Sequence, residues 1–224
     1  MMRKKIVSLC MALALCLGLL PATALAADGD TVYVGGVALT STDSKTVYAT
    51  TDKDTGVVTP ITSTEGETGD WNIMWDGSTL TLKGAYITGQ VNEATNPIAG
   101  AAIGVPNQNG DAELTIQLEG SNTVGASTGI HVYSSNGTAS LTITGNGSLN
   151  ASSNSNGGGI WVQSNSGKAT LAIENADVTA DGGTYGNGVT VQAGSNSSAS
   201  LSVDRGNLTA TGSGSSCLGI YFYS

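Results

Sequence analysis

The few aromatic side chains of this 224-residue sequence recur at related positions. Aromatic residues make up 5% of the chain, which has a single histidine, and several stand in the middle of similar triplets: Ile130-His-Val, Ile160-Trp-Val and Ile220-Tyr-Phe. Flat rings stack on the apolar faces of sugars, and Gln and Tyr side chains hydrogen-bond sugar hydroxyls. We therefore predict a carbohydrate-binding strip made of His131, Tyr133, Trp161, Gln163, Gln192, Tyr221 and Tyr223. The alternative is that these rings only stabilise neighbouring strands or pack beneath a loop.

A pair of carboxylates forms a second candidate site. Glu174 and Asp204 stand at equivalent positions after the triplets Leu171-Ala-Ile and Leu201-Ser-Val, and Arg205 follows directly. Neighbouring carboxylates either raise one pKa or share a cation, and oxygen ligands suit calcium. We favour a solvated surface neutralised by Arg205, with a calcium ion at Glu174 and Asp204 as the alternative. No cofactor is expected to be required.

Catalytic motifs are sparse in this sequence. His131 is the only candidate base for a Ser/His/Asp triad, and no G-x-S-x-G motif accompanies it. Glycosidases need paired carboxylates across a cleft, whereas Glu174 and Asp204 are predicted to lie on a flat surface. We predict no catalytic residue and no enzyme activity. A polysaccharide lyase that uses Glu174, Asp204 and Arg205 is the minority alternative.

Internal repeats predict the elements that position these side chains. One apolar triplet recurs at intervals of 27 to 31 residues, and its five copies begin at Ile103, Ile130, Ile160, Val189 and Ile220. A second triplet of the L-x-I type recurs in each unit, and a weaker third segment follows at Leu149, Val178 and Leu208. Turn sequences such as Asn136-Gly137 lie between them. Three short strands per unit of about 30 residues predict an all-β, right-handed parallel β-helix.

The predicted β-helix aligns equivalent residues in columns. Alternate residues of a strand point to opposite faces, so Ile130 and Val132 point inward while His131 and Tyr133 point outward. Successive units then give two outward columns, His131/Trp161/Thr190/Tyr221 and Tyr133/Gln163/Gln192/Tyr223. After the second triplet, the corresponding outward column is Lys83/Gln117/Thr144/Glu174/Asp204.

The beginning of the chain does not follow the repeat. Residues 1–26 combine Arg3, Lys4 and Lys5 with an apolar run and an A-x-A site, which predicts a secretory signal peptide. Residues 27–79 are predicted to form an N-terminal β cap, and residues 80–224 the β-helix repeats. The sequence stops just after the opening strand of a new unit, so we expect the β-helix to be truncated at its C-terminus.

Composition excludes several classes of protein. The net charge of −9 argues against a nucleic-acid partner, which needs a basic surface. Removal of the predicted leader leaves one cysteine, Cys217, so a disulfide scaffold is excluded. It also leaves no candidate membrane span, and the mature protein is expected to be secreted or extracellular, with cell-surface attachment through missing regions.

Several phrases resemble a family of secreted carbohydrate-binding domains from Gram-positive anaerobes. They are Val32-Tyr-Val-Gly-Gly-Val, Leu80-Thr-Leu-Lys-Gly-Ala-Tyr-Ile-Thr-Gly89, Leu114-Thr-Ile-Gln-Leu-Glu-Gly-Ser-Asn-Thr-Val124 and Leu141-Thr-Ile-Thr-Gly-Asn-Gly-Ser-Leu149. The resemblance implies a pectate-lyase-like β-helix and a non-catalytic domain that binds plant polysaccharides, including acidic ones with calcium. We therefore expect a carbohydrate-binding module whose partner is a plant cell-wall type polysaccharide. A structural or adhesive surface β-helix without its own glycan site is the alternative.

Overall fold

The computed structural model of the chain describes residues 31–42, 45–61 and 69–224. The predicted signal peptide lies outside the described residues. Within them the fold is all-β, without a helix, and coils of about 30 residues stack into a β-solenoid of about four turns. The predicted fold class is confirmed.

The described residues form strands that we number in chain order. They are β1 (Thr31–Val34), β2 (Val37–Thr40), β3 (Val47–Thr51), β4 (Val58–Ile61), β5 (Ile73–Trp75), β6 (Thr79–Lys83), β7 (Tyr86–Ile87), β8 (Ala101–Asn107), β9 (Ala112–Glu119), β10 (Ser121–Ala126), β11 (Thr128–Ser134), β12 (Ala139–Gly145), β13 (Ser148–Ser153), β14 (Gly158–Ser164), β15 (Ala169–Glu174), β16 (Asp177–Asp181), β17 (Asn187–Gln192), β18 (Ala199–Asp204), β19 (Asn207–Thr211) and β20 (Ile220–Tyr223).

Three sheets form the sides of the solenoid. Sheet A has the order β2-β1-β8-β11-β14-β17-β20, sheet B has β18-β15-β12-β9-β6-β5-β3-β4, and sheet C has β19-β16-β13-β10-β7. Strands of successive turns pair in parallel. At the beginning of the chain the pairs are antiparallel: β1 pairs with β2 and β8 in sheet A, while in sheet B β3 pairs with β4 and β5, and β5 with β6. Antiparallel strands therefore extend sheets A and B at the N-terminal end of the solenoid.

The inward residues of each strand stack into apolar columns. Ile103, Ile130, Ile160 and Val189 are partners across sheet A, and all four are fully buried. The Leu and Ile residues of the second triplet form matching columns in sheet B. Each buried side chain of this size contributes about 1.5–3 kcal/mol. One turn cannot bury its apolar face alone, so the stack holds the fold together.

One predicted column is out of register by two positions at its first member. Lys83 pairs with Glu119, and Thr81 pairs with Gln117, because the turns that follow the two strands match each other. Gly84 and Gly120 both have a left-handed φ, of 62° and 66°, and both follow the paired residues. The remainder of the column, Gln117/Thr144/Glu174/Asp204, pairs as predicted.

Buried serines tie the turns after sheet A to one another. Ser164 Oγ donates a hydrogen bond of 2.6 Å to the carbonyl oxygen of Gly137 in the preceding turn and accepts one of 2.7 Å from the Gly167 amide. Ser134 makes the same two contacts one turn earlier, to Gly110 and Gly137. Each serine therefore links two consecutive turns.

Replacement of Ser164 tests this link. Ser164→Ala leaves the Gly137 carbonyl and the Gly167 amide without their partner at a fully buried position, and we expect the free energy of unfolding to fall by about 2–3 kcal/mol. Denaturant unfolding measures the change. The control is Ser166→Ala, because Ser166 is exposed and its loss is expected to stay within about 0.5 kcal/mol. Equal losses in the two variants would contradict the role of Ser164.

Candidate functional site

The two predicted columns lie side by side on sheet A. His131 pairs with Trp161, Trp161 with Thr190, and Thr190 with Tyr221. In the neighbouring column Tyr133 pairs with Gln163, which pairs with Gln192, and Gln192 pairs with Tyr223. All seven residues of the predicted strip thus stand in the expected register.

His131 departs from the prediction in its exposure. Its ring is only 4% exposed and stacks on Trp161, with ring centroids 4.6 Å apart and an interplanar angle of 7°. Tyr133 meets the His131 ring edge-on at 6.1 Å. The expectation that His131 is an exposed contact residue is therefore wrong, because the neighbouring rings and a loop cover it.

The covering loop spans residues 88–100, between β7 and β8. Ile98, Val91 and Ala101 form a small buried cluster against which Tyr133 packs. Gly104 is the strand partner of His131, and a Cβ atom added to it would lie 2.7 Å from Cδ1 of Ile98. The absence of a side chain at Gly104 therefore lets Ile98 lie against sheet A beside His131.

Hydrogen bonds through Asn165 hold two residues of the second column, Tyr133 and Gln163. Asn165 Nδ2 donates a hydrogen bond of 2.7 Å to the Tyr133 hydroxyl, and Asn165 Oδ1 accepts one of 3.1 Å from Gln163 Nε2. These side chains are oriented before any ligand arrives, which lowers the entropic cost of binding.

A groove lies beside the first column. It has a volume of about 280 Å³, and sheet A contributes Trp161, Thr190, Gln192 and Tyr221 to its lining. The opposite side comes from the loops that precede β14, β17 and β20, with Asn156, Tyr185, Ser216 and Cys217, and from Asn187 at the start of β17. Tyr185 is 70% exposed, and Tyr221 is 38% exposed. Tyr223, at 55%, lies on the last strand outside this lining.

Asn187 holds two parts of the groove in place. Its Nδ2 donates a hydrogen bond of 3.2 Å to the Thr190 hydroxyl, and its Oδ1 accepts one of 2.9 Å from the Leu218 amide. Cys217 Sγ also lies 3.5 Å from the Thr184 carbonyl oxygen of the loop before. The loops are therefore joined to each other and to the strand surface.

Sequence reasoning missed the loop side of the groove. Asn156, Tyr185 and Asn187 precede the apolar triplets by a few residues, within segments rich in glycine and asparagine. Such segments predict turns, but they do not indicate on which side of a sheet the loop will lie. These segments recur once per repeat unit, and this recurrence indicates that the loops stack along one edge of the sheet.

The carboxylate pair lies on another side of the solenoid. Glu174 and Asp204 are partners in sheet B and both are exposed, while Arg205 Nε lies 3.1 Å from Asp204 Oδ2. Among residues 31–42, 45–61 and 69–224, no three His, Cys, Asp or Glu side chains are grouped so that they could hold a metal ion. The calcium site stays a prediction.

Two ring nitrogens near the groove are buried without partners. Nε2 of His131 and Nε1 of Trp161 have no hydrogen-bond partner among the described residues. Burial lowers the pKa of His131 from its ordinary value of 6.5 to about 4, and a weaker interaction with Gln163 opposes the shift. The imidazole is therefore neutral near pH 7, and the stacked pair adds no positive charge to the surface.

Comparisons with known proteins identify no relative. No family model, no curated protein and no solved structure matches the chain. Within the part of the chain that the structure describes, no helix has the length and hydrophobicity needed to cross a membrane.

The buried histidine predicts a specific pH dependence of stability. As the pH falls below 6.5, the unfolded chain takes up a proton at His131 while the folded chain stays neutral until about pH 4. The free energy of unfolding should therefore decrease over this window by about 3 kcal/mol through this group alone. Denaturant unfolding between pH 7 and pH 4 measures the decrease.

His131→Phe is the matched variant, because it keeps a flat ring against Trp161 and cannot titrate. The difference in stability between the two proteins should shift by about 3 kcal/mol in favour of the variant from pH 7 to pH 4. A constant difference over that range would show that His131 is not buried in its neutral form.

Proposed function

We propose that this chain is a secreted, non-catalytic carbohydrate-binding module that binds a polysaccharide on the outer face of sheet A. The observation that carries the proposal is the groove of about 280 Å³ beside Trp161. Its lining combines the rings of Trp161, Tyr185 and Tyr221 with the amides of Asn156, Asn187 and Gln192.

This lining suits the chemistry of sugars. Pyranose rings have apolar C–H faces that stack on aromatic rings, while their hydroxyl rims donate and accept hydrogen bonds. An Asn or Gln amide offers one acceptor and two donors, so it can satisfy a hydroxyl in either role. The groove lining contains no Asp, Glu, Lys or Arg, so its contacts do not require a charged ligand.

The buried ring nitrogens add support. His131 Nε2 and Trp161 Nε1 are buried without hydrogen-bond partners among the described residues, and this costs free energy. A surface shaped for stability alone would not be expected to keep this cost. Departures from optimal packing are expected where a surface also has to bind a ligand.

The sequence supplies the rest of the proposal. The leader-like residues 1–26 favour secretion, and the resemblance to secreted carbohydrate-binding domains favours a plant cell-wall type polysaccharide as the partner. Calcium at Glu174 and Asp204 would serve an anionic polymer, since the net charge of −9 repels such a chain unless a cation bridges the two.

A structural or adhesive function is the second candidate, and the packing of the aromatic column favours it. His131 is 4% exposed and stacks on Trp161, so these rings stabilise neighbouring strands whether or not a ligand binds. This candidate predicts cell or surface adhesion without affinity for glycans.

Tyr185 provides the cleanest test of the groove. Its ring is largely exposed on a loop, so Tyr185→Ala should leave the fold intact, whereas Trp161→Ala also removes the stack on His131. We expect retention of the segment from Ala27 onward on insoluble cellulose or a pectate gel, and about a three- to tenfold loss of affinity in Tyr185→Ala. A depletion isotherm on the polymer that retains the protein measures it.

Tyr86→Ala is the matched control, because Tyr86 is an exposed tyrosine on sheet C. Its affinity should equal that of the wild type, and a chelator should leave retention unchanged. Retention that depends on calcium would move the site to Glu174 and Asp204. Folded protein that no polymer retains would favour the adhesive function.

A further inference from the structure

A second pocket lies beside β8, where the parallel part of sheet A begins. It has a volume of about 340 Å³ and lies between the loop of residues 88–100 and the turn after β8. Its lining includes Glu93, Thr95, Pro97, Pro106, Gln108 and Asn109. Pyrrolidine rings, amides, a hydroxyl and one carboxylate make a lining that can contact both the faces and the hydroxyls of a sugar.

One column of side chains joins this pocket to the groove. Pro106 lines the second pocket and is the strand partner of Tyr133, which pairs with Gln163. Gln163 pairs in turn with Gln192, which lines the groove beside Trp161. Four consecutive strands, β8, β11, β14 and β17, thus carry an unbroken row of outward residues from one pocket to the other.

The row is uncharged, and contacts with neighbouring side chains hold two of its four residues, Tyr133 and Gln163. Tyr133 packs against the cluster of Val91 and Ile98 and accepts a hydrogen bond from Asn165, which also accepts one from Gln163. Among the described residues that line the two pockets, Glu93 is the only charged one. A ligand that follows this row meets the Tyr133 hydroxyl and the Gln163 amide already held in place. Ordering these two side chains on binding therefore costs little conformational entropy.

The length of the row determines the kind of ligand that can fill it. Neighbouring strands lie about 4.8 Å apart, so three steps from β8 to β17 span about 14 Å before the pockets themselves are counted. A single sugar ring cannot contact both ends. A linear polymer that lies parallel to the solenoid axis can contact the whole row.

From this arrangement we propose that the two pockets and the row Pro106/Tyr133/Gln163/Gln192 form one extended binding track for several consecutive sugar units of a single polysaccharide chain. This track rests on the proposed function. It adds that the sugar chain contacts the second pocket, runs parallel to the solenoid axis and must be long enough to reach both pockets. A chain that reaches the groove holds its next units close to the second pocket, so the two contacts reinforce each other.

Oligosaccharides of different length test the track. The probes are cellobiose and cellohexaose, with the corresponding galacturonate oligomers as an anionic series, and isothermal titration calorimetry measures their affinity. The wild type should bind one of the hexamers at least tenfold more tightly than its dimer. The double variant Glu93→Ala/Gln108→Ala should lose most of that difference and keep the dimer affinity within twofold.

The matched control is Glu113→Ala/Gln117→Ala, which removes the same two residue types from sheet B. It should keep the full dependence on length. Equal affinity for dimer and hexamer, or a length dependence that the Glu93/Gln108 variant retains, would overturn the track while the groove still binds sugar. Absence of binding to every probe would overturn the proposed function together with the track.

Discussion

Everything in this molecule depends on stacking equivalent residues directly above one another. Each turn of the solenoid buries its Ile, Val and Leu side chains only against the turns before and after it. A shift of one residue in any strand would turn those side chains outward, so the apolar pattern strongly specifies the register. The same register aligns the outward residues. Surface columns such as Tyr133/Gln163/Gln192 therefore need no interaction of their own to bring their members into line.

The sequence predicted the fold class because its triplets recur in units of about 30 residues. It predicted the columns because inward and outward residues alternate within each strand. It failed at Lys83, where the leucine triplet suggested one alignment and the left-handed turn glycines imposed another. It also failed at His131, whose burial depends on Ile98 in a loop outside the repeat and on the missing side chain of Gly104. Contacts between distant segments leave no periodic signal in the sequence.

The candidate site shows how a repeat aligns rings and amides on one surface. The strands supply rings and amides at fixed spacing, while the loops before β14, β17 and β20 stack along one edge and close a groove over them. Asn187 and Asn165 hold these parts together through side-chain hydrogen bonds. The described lining of the groove is uncharged on a protein whose net charge is −9. These properties suit an uncharged, hydroxyl-rich polymer better than a polyanion.

Mapping of NMR chemical shifts would locate the sugar-binding surface on the protein. The labelled protein would be titrated with soluble fragments of whichever polymer retains it, and amide and indole signals would be followed. If sugars bind in the groove, the largest shifts will fall on the Trp161 indole and on the amides of Tyr185 and Asn187, with sheets B and C unchanged. Shifts concentrated around Glu174 and Asp204, on sheet B, would rule out the groove as the binding site.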